Sequence, residues 1–254
     1  MEGKGGESGF CWDEVITTEG SPQYNRSIVQ TVQEFIPAGA TVLEVGPGTG
    51  GTAAELASLG YRVDVVDLFS NPLKATLSSL AFRGADLEVG AVRGDGFRLP
   101  FANGSFDLVY HQGLLEHFTH PHGMELLAEN ARVVTPGGYM LVDVPQPYSI
   151  QGIYKPLATK VGAWEFGWER SVSYRELAGM IEPLGFEVVY HYYWGIIPPL
   201  PTEFRSHVKQ SLGGCPGGEH RTVMSVVMDT KRDLDERRSQ LPFLNCVGIL
   251  AKKN

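Results

Sequence analysis

The sequence predicts an α/β protein whose sheet is open and mainly parallel, and three observations carry that prediction. Short apolar runs bounded by Gly and Pro alternate with stretches whose apolar residues recur at helical spacing. One of those runs, Thr41 to Val45, passes through Gly46, Gly48, Gly50 and Gly51 directly into the helical stretch ending at Gly60. Acidic residues, Asp67 and Asp95, close the two strands that follow, where open parallel sheets hold their ligands.

Ahead of the glycine turn, Ser21-Pro22 reads as an N-cap with proline at the first helical position. Tyr24, Ile28, Val32, Phe35 and Ile36 then share one helical face. The apolar segment before it, with Phe10, Trp12 and Val15, is placed to fold over a ligand as a lid or to pack on the sheet. Val42, Leu43 and Val45 form a strand covered on both faces, interrupted only by Glu44. Arg62 to Leu68 is the second strand, Asn71 to Gly84 a helix, and Leu87 to Asp95 the third strand. Asn103-Gly104 turns into a fourth strand from Phe106 to Tyr110. Met124 to Gly138 reads as a helix stopped by Pro136-Gly137-Gly138, and Tyr139 to Pro145 as the fifth strand. Residues 146–172 read as a loop rich in aromatics, a candidate substrate pocket through Tyr154, Trp164 and Trp168. Ser173-x-x-Glu176 is a capping box opening a helix that Gly185 ends. Glu187 to Trp194 and Asn245 to Lys253 are the last two strands. The segment between them, residues 196–242, exceeds what a hairpin needs and is either a lid or a contact between copies of the chain.

Composition bounds the function. The chain has 254 residues, 43% of them hydrophobic and 20% charged, enough for a sizeable core in one domain with insertions. A net charge of −8 without clustered Lys and Arg disfavours nucleic acid and polyanionic substrates. Cys11, Cys215 and Cys246 are unpaired in pattern, which excludes a disulfide framework or a Cys-based zinc site and points to a reducing, cytoplasmic setting. No window is apolar enough for an export signal or a membrane span.

The glycine turn fits two chemistries. Gly46-x-Gly48-x-x-Gly51, with Asp67 downstream, matches a dinucleotide fingerprint and so a nicotinamide-dependent oxidoreductase. Glu44 beside the turn would repel a phosphate and attract a cationic or hydroxyl-bearing ligand. The ordered blocks VLEVGPGTGG, VDVVDL, GDGFRLPFANGSFDLVYHQGLLEH and ENARVVTPGGYMLVDVP resemble the motif series of class I S-adenosylmethionine-dependent methyltransferases. A looser resemblance runs from Glu165 to Val189. The resemblance implies a Rossmann-like seven-stranded sheet, parallel except for an antiparallel C-terminal strand, with helices on both faces. It implies one methyltransferase domain over 1–254, with a lid segment 10–36, the aromatic loop 146–172 and the insertion 196–242.

The resemblance also implies S-adenosylmethionine as cofactor, methyl transfer to a small molecule, and a cofactor site made of Glu44, Gly46, Pro47, Gly48, Gly50, Asp67, Leu68, Asp95, Gly96, His111 and Gln112. In that set Asp67 accepts from the ribose hydroxyls, Asp95 from the adenine amino group, and Gly96 donates its N–H to the ring. Glycine at 96, where many relatives carry a bulkier residue, leaves room for a looser adenine slot. His111, His117 and His191 are candidate general bases, with His117 in the L-E-H block taken as the catalytic choice. Trp12 and Tyr24 join the aromatic loop as candidate substrate contacts. His117, His120 and His122 lack carboxylate or cysteine partners at ligand spacing, so no metal is expected. The competing class is a protein that binds the nucleoside as a sensor or partner subunit without methyl transfer.

Overall fold

The computed structural model describes residues 23–83, 89–160, 164, 168–195, 239–242 and 244–254. In chain order these form α1 (Arg26–Phe35), β1 (Thr41–Val45), α2 (Gly51–Ser58), β2 (Arg62–Asp67), α3 (Ser70–Phe82), β3 (Val89–Arg93) and β4 (Phe106–Gln112). A single 3-10 turn, Leu115–His117, leads to α4 (His120–Val133), β5 (Val134–Pro145), α5 (Ile150–Lys160) and α6 (Tyr174–Ile181). A second 3-10 turn, Glu182–Leu184, precedes β6 (Phe186–Trp194) and β7 (Cys246–Lys253).

The seven strands form one sheet in the order β3-β2-β1-β4-β5-β7-β6. Strands β1 to β5 pair parallel, and β7 runs antiparallel to both neighbours, as expected from the sequence. Because the chain goes from β1 outward to β3 and then crosses back to β4, the C-terminal ends of β1 and β4 flank a topological switch point. Alternation along β1 sends Val42 into the core under α1, α2 and α3, and Leu43 and Val45 into the core under α4 and α6. Burial on both faces is why that strand is apolar at successive positions.

Several boundaries differ from the sequence reading, each for a local reason. Helix α1 is capped by Asn25, whose side chain accepts from the N–H groups of Ser27 and Ile28, while Ser21, Pro22 and Trp12 lie outside the described residues. Strand β3 ends at Arg93, and Asp95 instead opens a turn. Helix α4 stops at Val133 and β5 begins at once, so Pro136-Gly137-Gly138 is not a helix terminator. Phe106 faces Val134 and Leu108 faces Tyr139, which leaves the Pro-Gly-Gly segment as a bulge within the strand. The aromatic loop contains α5, nucleated where the Ser149 hydroxyl accepts from the Gly152 N–H at 2.9 Å. The Ser173 hydroxyl caps α6 as expected, but the Glu176 carboxylate that a capping box would turn back pairs with Arg170.

Most of the insertion, residues 196–238, lies outside the described residues, but its stem is defined. Tyr193 and Ser239 exchange both backbone hydrogen bonds at 2.8 Å, and Asn245 N–H donates to Gly195 O at 2.7 Å. The Gln146 amide donates to Pro242 O and Leu244 O, which ties the stem to the end of β5. The excursion therefore starts and returns at the sheet edge that carries the C-terminal ends of the parallel strands.

The N-cap gives a direct test of the revised helix start. Asn25→Ala should lower the melting temperature by a few degrees, in line with the ~1 kcal/mol that such caps contribute. An unchanged melting curve would show that the two cap bonds contribute nothing.

Candidate functional site

The β1–α2 turn is held by backbone packing that only glycine permits. Gly50, at φ +70°, has no room for a side chain, since a Cβ there would lie 2.3 Å from the Thr76 Cα of α3. Gly48, at φ +55°, has open space where its side chain would be, so the backbone at the top of the turn is accessible to a ligand. Pro47 is buried beneath the turn, and its carbonyl accepts from the Gly50 N–H at 2.8 Å. Glu44 lies behind the turn, 3% exposed, on the α2 side of the sheet, rather than at its open surface. Burial pushes its carboxyl from 4.5 up to about 8, against the pull of the Tyr110 hydroxyl and the Ala53 N–H in the first turn of α2.

The next two acidic residues stand at the same sheet edge. Asp67 ends β2 and its Oδ1 accepts from Phe69 N–H at 2.8 Å, with exposed Leu68 between them. Asp95 is exposed beyond the end of β3 and accepts from Phe97 N–H at 2.9 Å. The segment carrying Asp95 is pinned from α4: the Arg132 guanidinium donates to Leu99 O, Phe101 O and Asn103 and pairs with Glu129, and Glu129 accepts from Leu99 N–H. Gly96 does not open a looser slot. Leu126 and Val45 already approach within 3.2 Å of where its Cβ would stand, so the missing side chain is replaced by packing.

The three histidines considered as bases separate cleanly. His111 on β4 is fully buried, both ring nitrogens lack partners among the described residues, and burial lowers it to about 4. His191 is in the middle of β6, stacked on Tyr174 of α6 at 4.7 Å, away from the sheet edge. His117 lies just past β4, partly exposed, with Nδ1 3.2 Å from Trp168 O. Since a carbonyl only accepts, Nδ1 carries the proton and Nε2 the lone pair. Burial is the largest influence on His117 and lowers it.

Around His117 the structure gathers residues that the sequence did not single out. Glu116 is 3% exposed, and Arg170 N–H donates to its backbone oxygen at 2.9 Å. Glu169 accepts from the buried Lys155 ammonium at 2.9 Å, and that ammonium lies 6.0 Å from the Trp164 ring centroid. Asp143 on β5 accepts from the Tyr192 hydroxyl and the Trp194 indole at 2.9 and 2.8 Å, and burial pushes it up to about 7. An acid inside the apolar run YMLVDVP is a signal that could have found Asp143. Nothing local marks Lys155 or Glu169. Trp168 is 42% exposed, and Tyr154 lies on α5 with its side chain outside the described residues. Tyr24 is remote from this cluster: it packs beside α2 with the Arg83 guanidinium 5.4 Å from its ring centroid.

The edge thus carries two chemically different halves. The β1–β3 half offers carboxylate acceptors at Asp67 and Asp95 and an open glycine turn, an acceptor set that fits a ligand bearing hydroxyl and amino donors, such as a nucleoside. His111, whose ring nitrogens have no partner among the described residues, stands near the end of β4 between this half and the other, which is aromatic and acidic.

Residues 43–142 match the family model described as a methyltransferase domain. A phthiotriol/phenolphthiotriol dimycocerosates methyltransferase of Mycobacterium leprae is 31% identical over 160 residues, covering 61% of this chain and 54% of that protein. The chain therefore spans about half the length of that relative. Among solved structures, a magnesium protoporphyrin IX methyltransferase from Synechocystis with bound S-adenosylhomocysteine superposes with a TM-score of 0.59 at 12% identity, over 90% of this chain and 80% of that one. The cyclase SpnF superposes equally well, with a TM-score of 0.59 at 16% identity over 92% of this chain and 84% of that one.

Glu44 yields a pH-dependent prediction. Its folded value lies above the unfolded one, so the native state holds a proton that the unfolded chain releases, and stability falls as pH rises from about 4.5 to 8. Glu44→Gln removes that loss. Its melting-temperature gain over the native chain should grow from near zero at pH 5 to several degrees at pH 8. A gain equal at both pH values would contradict the desolvated carboxyl.

Proposed function

We propose that this chain is a class I S-adenosylmethionine-dependent methyltransferase that transfers a methyl group from S-adenosylmethionine to a small-molecule acceptor, a reading supported by the match of residues 43–142 to a methyltransferase domain and by the methyltransferase relative. The observation that carries the reading is the alignment of Asp67, Asp95 and the open glycine turn along one sheet edge. S-Adenosylmethionine supplies a methyl carbon bearing a sulfonium leaving group, so the protein's task is alignment and exclusion of water. Asp67 accepts from the ribose hydroxyls, and Asp95 with the Gly96 N–H reads the adenine edge. Leu68, Gly46, Pro47, Gly48 and Gly50 shape the cradle. Glu44 acts from behind, holding the first turn of α2 in register with the glycines. His111 and Gln112 form the floor between cofactor and acceptor.

The acceptor half is the aromatic and acidic end built from Trp164, Trp168 and the residues around His117. His117 is the base candidate placed there for an acceptor that must lose a proton, its ring oriented by the Nδ1 bond to Trp168 O. An acceptor with an apolar body is favoured by α5, which exposes Ile150, Ile153 and Leu157 beside that end. The chain's −8 charge supports a small molecule over nucleic acid. No helix among the described residues is long and apolar enough to cross a membrane. A cytoplasmic location belongs to the same proposal and is supported by the unpaired cysteine pattern.

A second reading, nucleoside binding without methyl transfer, is favoured by one observation: the same fold carries a cyclase. Two measurements separate the readings. S-Adenosylhomocysteine should raise the melting temperature while NAD and NADP do not, and Asp67→Ala should weaken its binding by about 1.5–3 kcal/mol. Incubation with isotope-labelled S-adenosylmethionine and a metabolite extract should then yield a labelled product by mass spectrometry. Binding without any labelled product would favour the second reading, and stabilisation by NAD alone would overturn both.

A further inference from the structure

We propose that Glu116, His117 and Glu169 form a binding site for a divalent transition-metal ion of the zinc or manganese class. One donor atom from each of these three side chains lies within 4.8 Å of the other two. Ligand atoms around a bound ion are about 3–4 Å apart, so side-chain rotations smaller than a rotamer change would close the set.

Backbone geometry holds the three together. His117 Nδ1 donates to Trp168 O at 3.2 Å, and Arg170 N–H donates to Glu116 O at 2.9 Å. These two bonds bracket Glu169 and set its side chain opposite the 3-10 turn. The first of them also fixes the imidazole tautomer, turning the lone pair of Nε2 away from the carbonyl. A histidine whose other nitrogen donates to a backbone carbonyl is the usual arrangement of a metal ligand.

A second observation points to a ligand. Glu116 is 3% exposed, and its Oε2 makes no hydrogen bond among the described residues. A buried carboxylate oxygen without a donor calls for a proton or a cation. The neighbouring Lys155 ammonium donates to Glu169 Oε1 at 2.9 Å and not to Glu116 Oε2. One ammonium thus stands beside two carboxyl groups. A carboxylate has two oxygens, so Glu169 can keep Lys155 on one and bind an ion through the other. One imidazole with two carboxylates lacks the thiolates that select soft ions and is not the all-oxygen set of calcium, which leaves zinc and manganese as the matching class. His120 and His122 stand apart on the first turn of α4, where His122 meets Thr119.

Given the methyl-transfer reading above, on which this clause alone rests, an ion here would acidify an oxygen acceptor, and His117 would serve as ligand rather than base. The site itself is tested without activity. Chelator-stripped full-length chain is titrated with Zn²⁺ and with Mn²⁺ by calorimetry, with electron paramagnetic resonance for bound manganese. One ion per chain is expected, with affinity reduced at least tenfold in Glu169→Gln and in His117→Ala and unchanged in the His120→Ala/His122→Ala double variant. Melting curves select variants that remain folded, and Zn²⁺ should raise the melting temperature of the native chain but not of Glu169→Gln. Absence of saturable binding to the native chain overturns the proposal, as does undiminished binding by folded Glu169→Gln and His117→Ala, or its loss in the double variant. S-Adenosylhomocysteine binding measured on the same samples tells failure of the ion site from failure of the cofactor reading.

Discussion

The structure depends on the close approach of three backbone segments at the β1–α2 turn. A Cβ at Gly50 would collide with α3, and one at Gly51 would lie 2.1 Å from Gln23 O in the chain leading to α1. With only hydrogen atoms at those positions, the turn, α3 and the segment before α1 lock together. Asn25 N–H adds a bond to the Thr52 hydroxyl at 3.1 Å, and Ser79 reaches Thr49 O at 2.7 Å. The rigidity is uneven by design of the sequence: Gly50 and Gly51 are packed shut, whereas Gly48 faces open space. Ligand access at the turn and stability of the turn therefore reside in different glycines.

Beneath that turn, polar groups are buried in a pattern that separates fold from chemistry. Glu44 and Tyr110 occupy the face covered by α1 to α3, where burial disfavours ionisation of both. On the other side of β4, Glu116, His117, Lys155 and Glu169 form a denser set of ionisable groups with an outlet to the surface at His117. Several charges in one low-dielectric place are expensive to maintain.

The two halves of the edge also differ in how they are connected. The β1–β3 half hangs on short links between adjacent strands and helices, from Gly46 to Asp95. The aromatic and acidic half is assembled from segments distant in the chain: the turn after β4, helix α5, the strip from Trp168 to Arg170, and the stem of the insertion at Gly195 and Ser239. Val172 N–H on Pro145 O and the Gln146 amide on Leu244 O fasten these pieces to the end of β5. Their relative placement follows from those fastenings rather than from any local motif.

That difference explains what was legible in the amino-acid order. The parallel sheet, the glycine turn, Asp67 and the antiparallel last strand could be read because apolar period, Gly placement and strand-end acids are local signals within a few residues of each other. The α1 cap was misplaced at Ser21-Pro22 because Asn25, a weaker-looking signal, satisfies the orphan N–H groups. Pro136-Gly137-Gly138 was misread because a bulge and a helix stop use the same residues. Glu44 was legible as unusual, but its face was not: strand alternation and the position of α2 together turn it behind the turn. The clustering of His117 with Glu116 and Glu169, and the Lys155–Glu169 pair beside them, was beyond the sequence altogether. The contacts span separations of 51 residues between His117 and Trp168 and 14 between Lys155 and Glu169, and only the tertiary fold, by closing backbone bonds across them, brings those charges to one place.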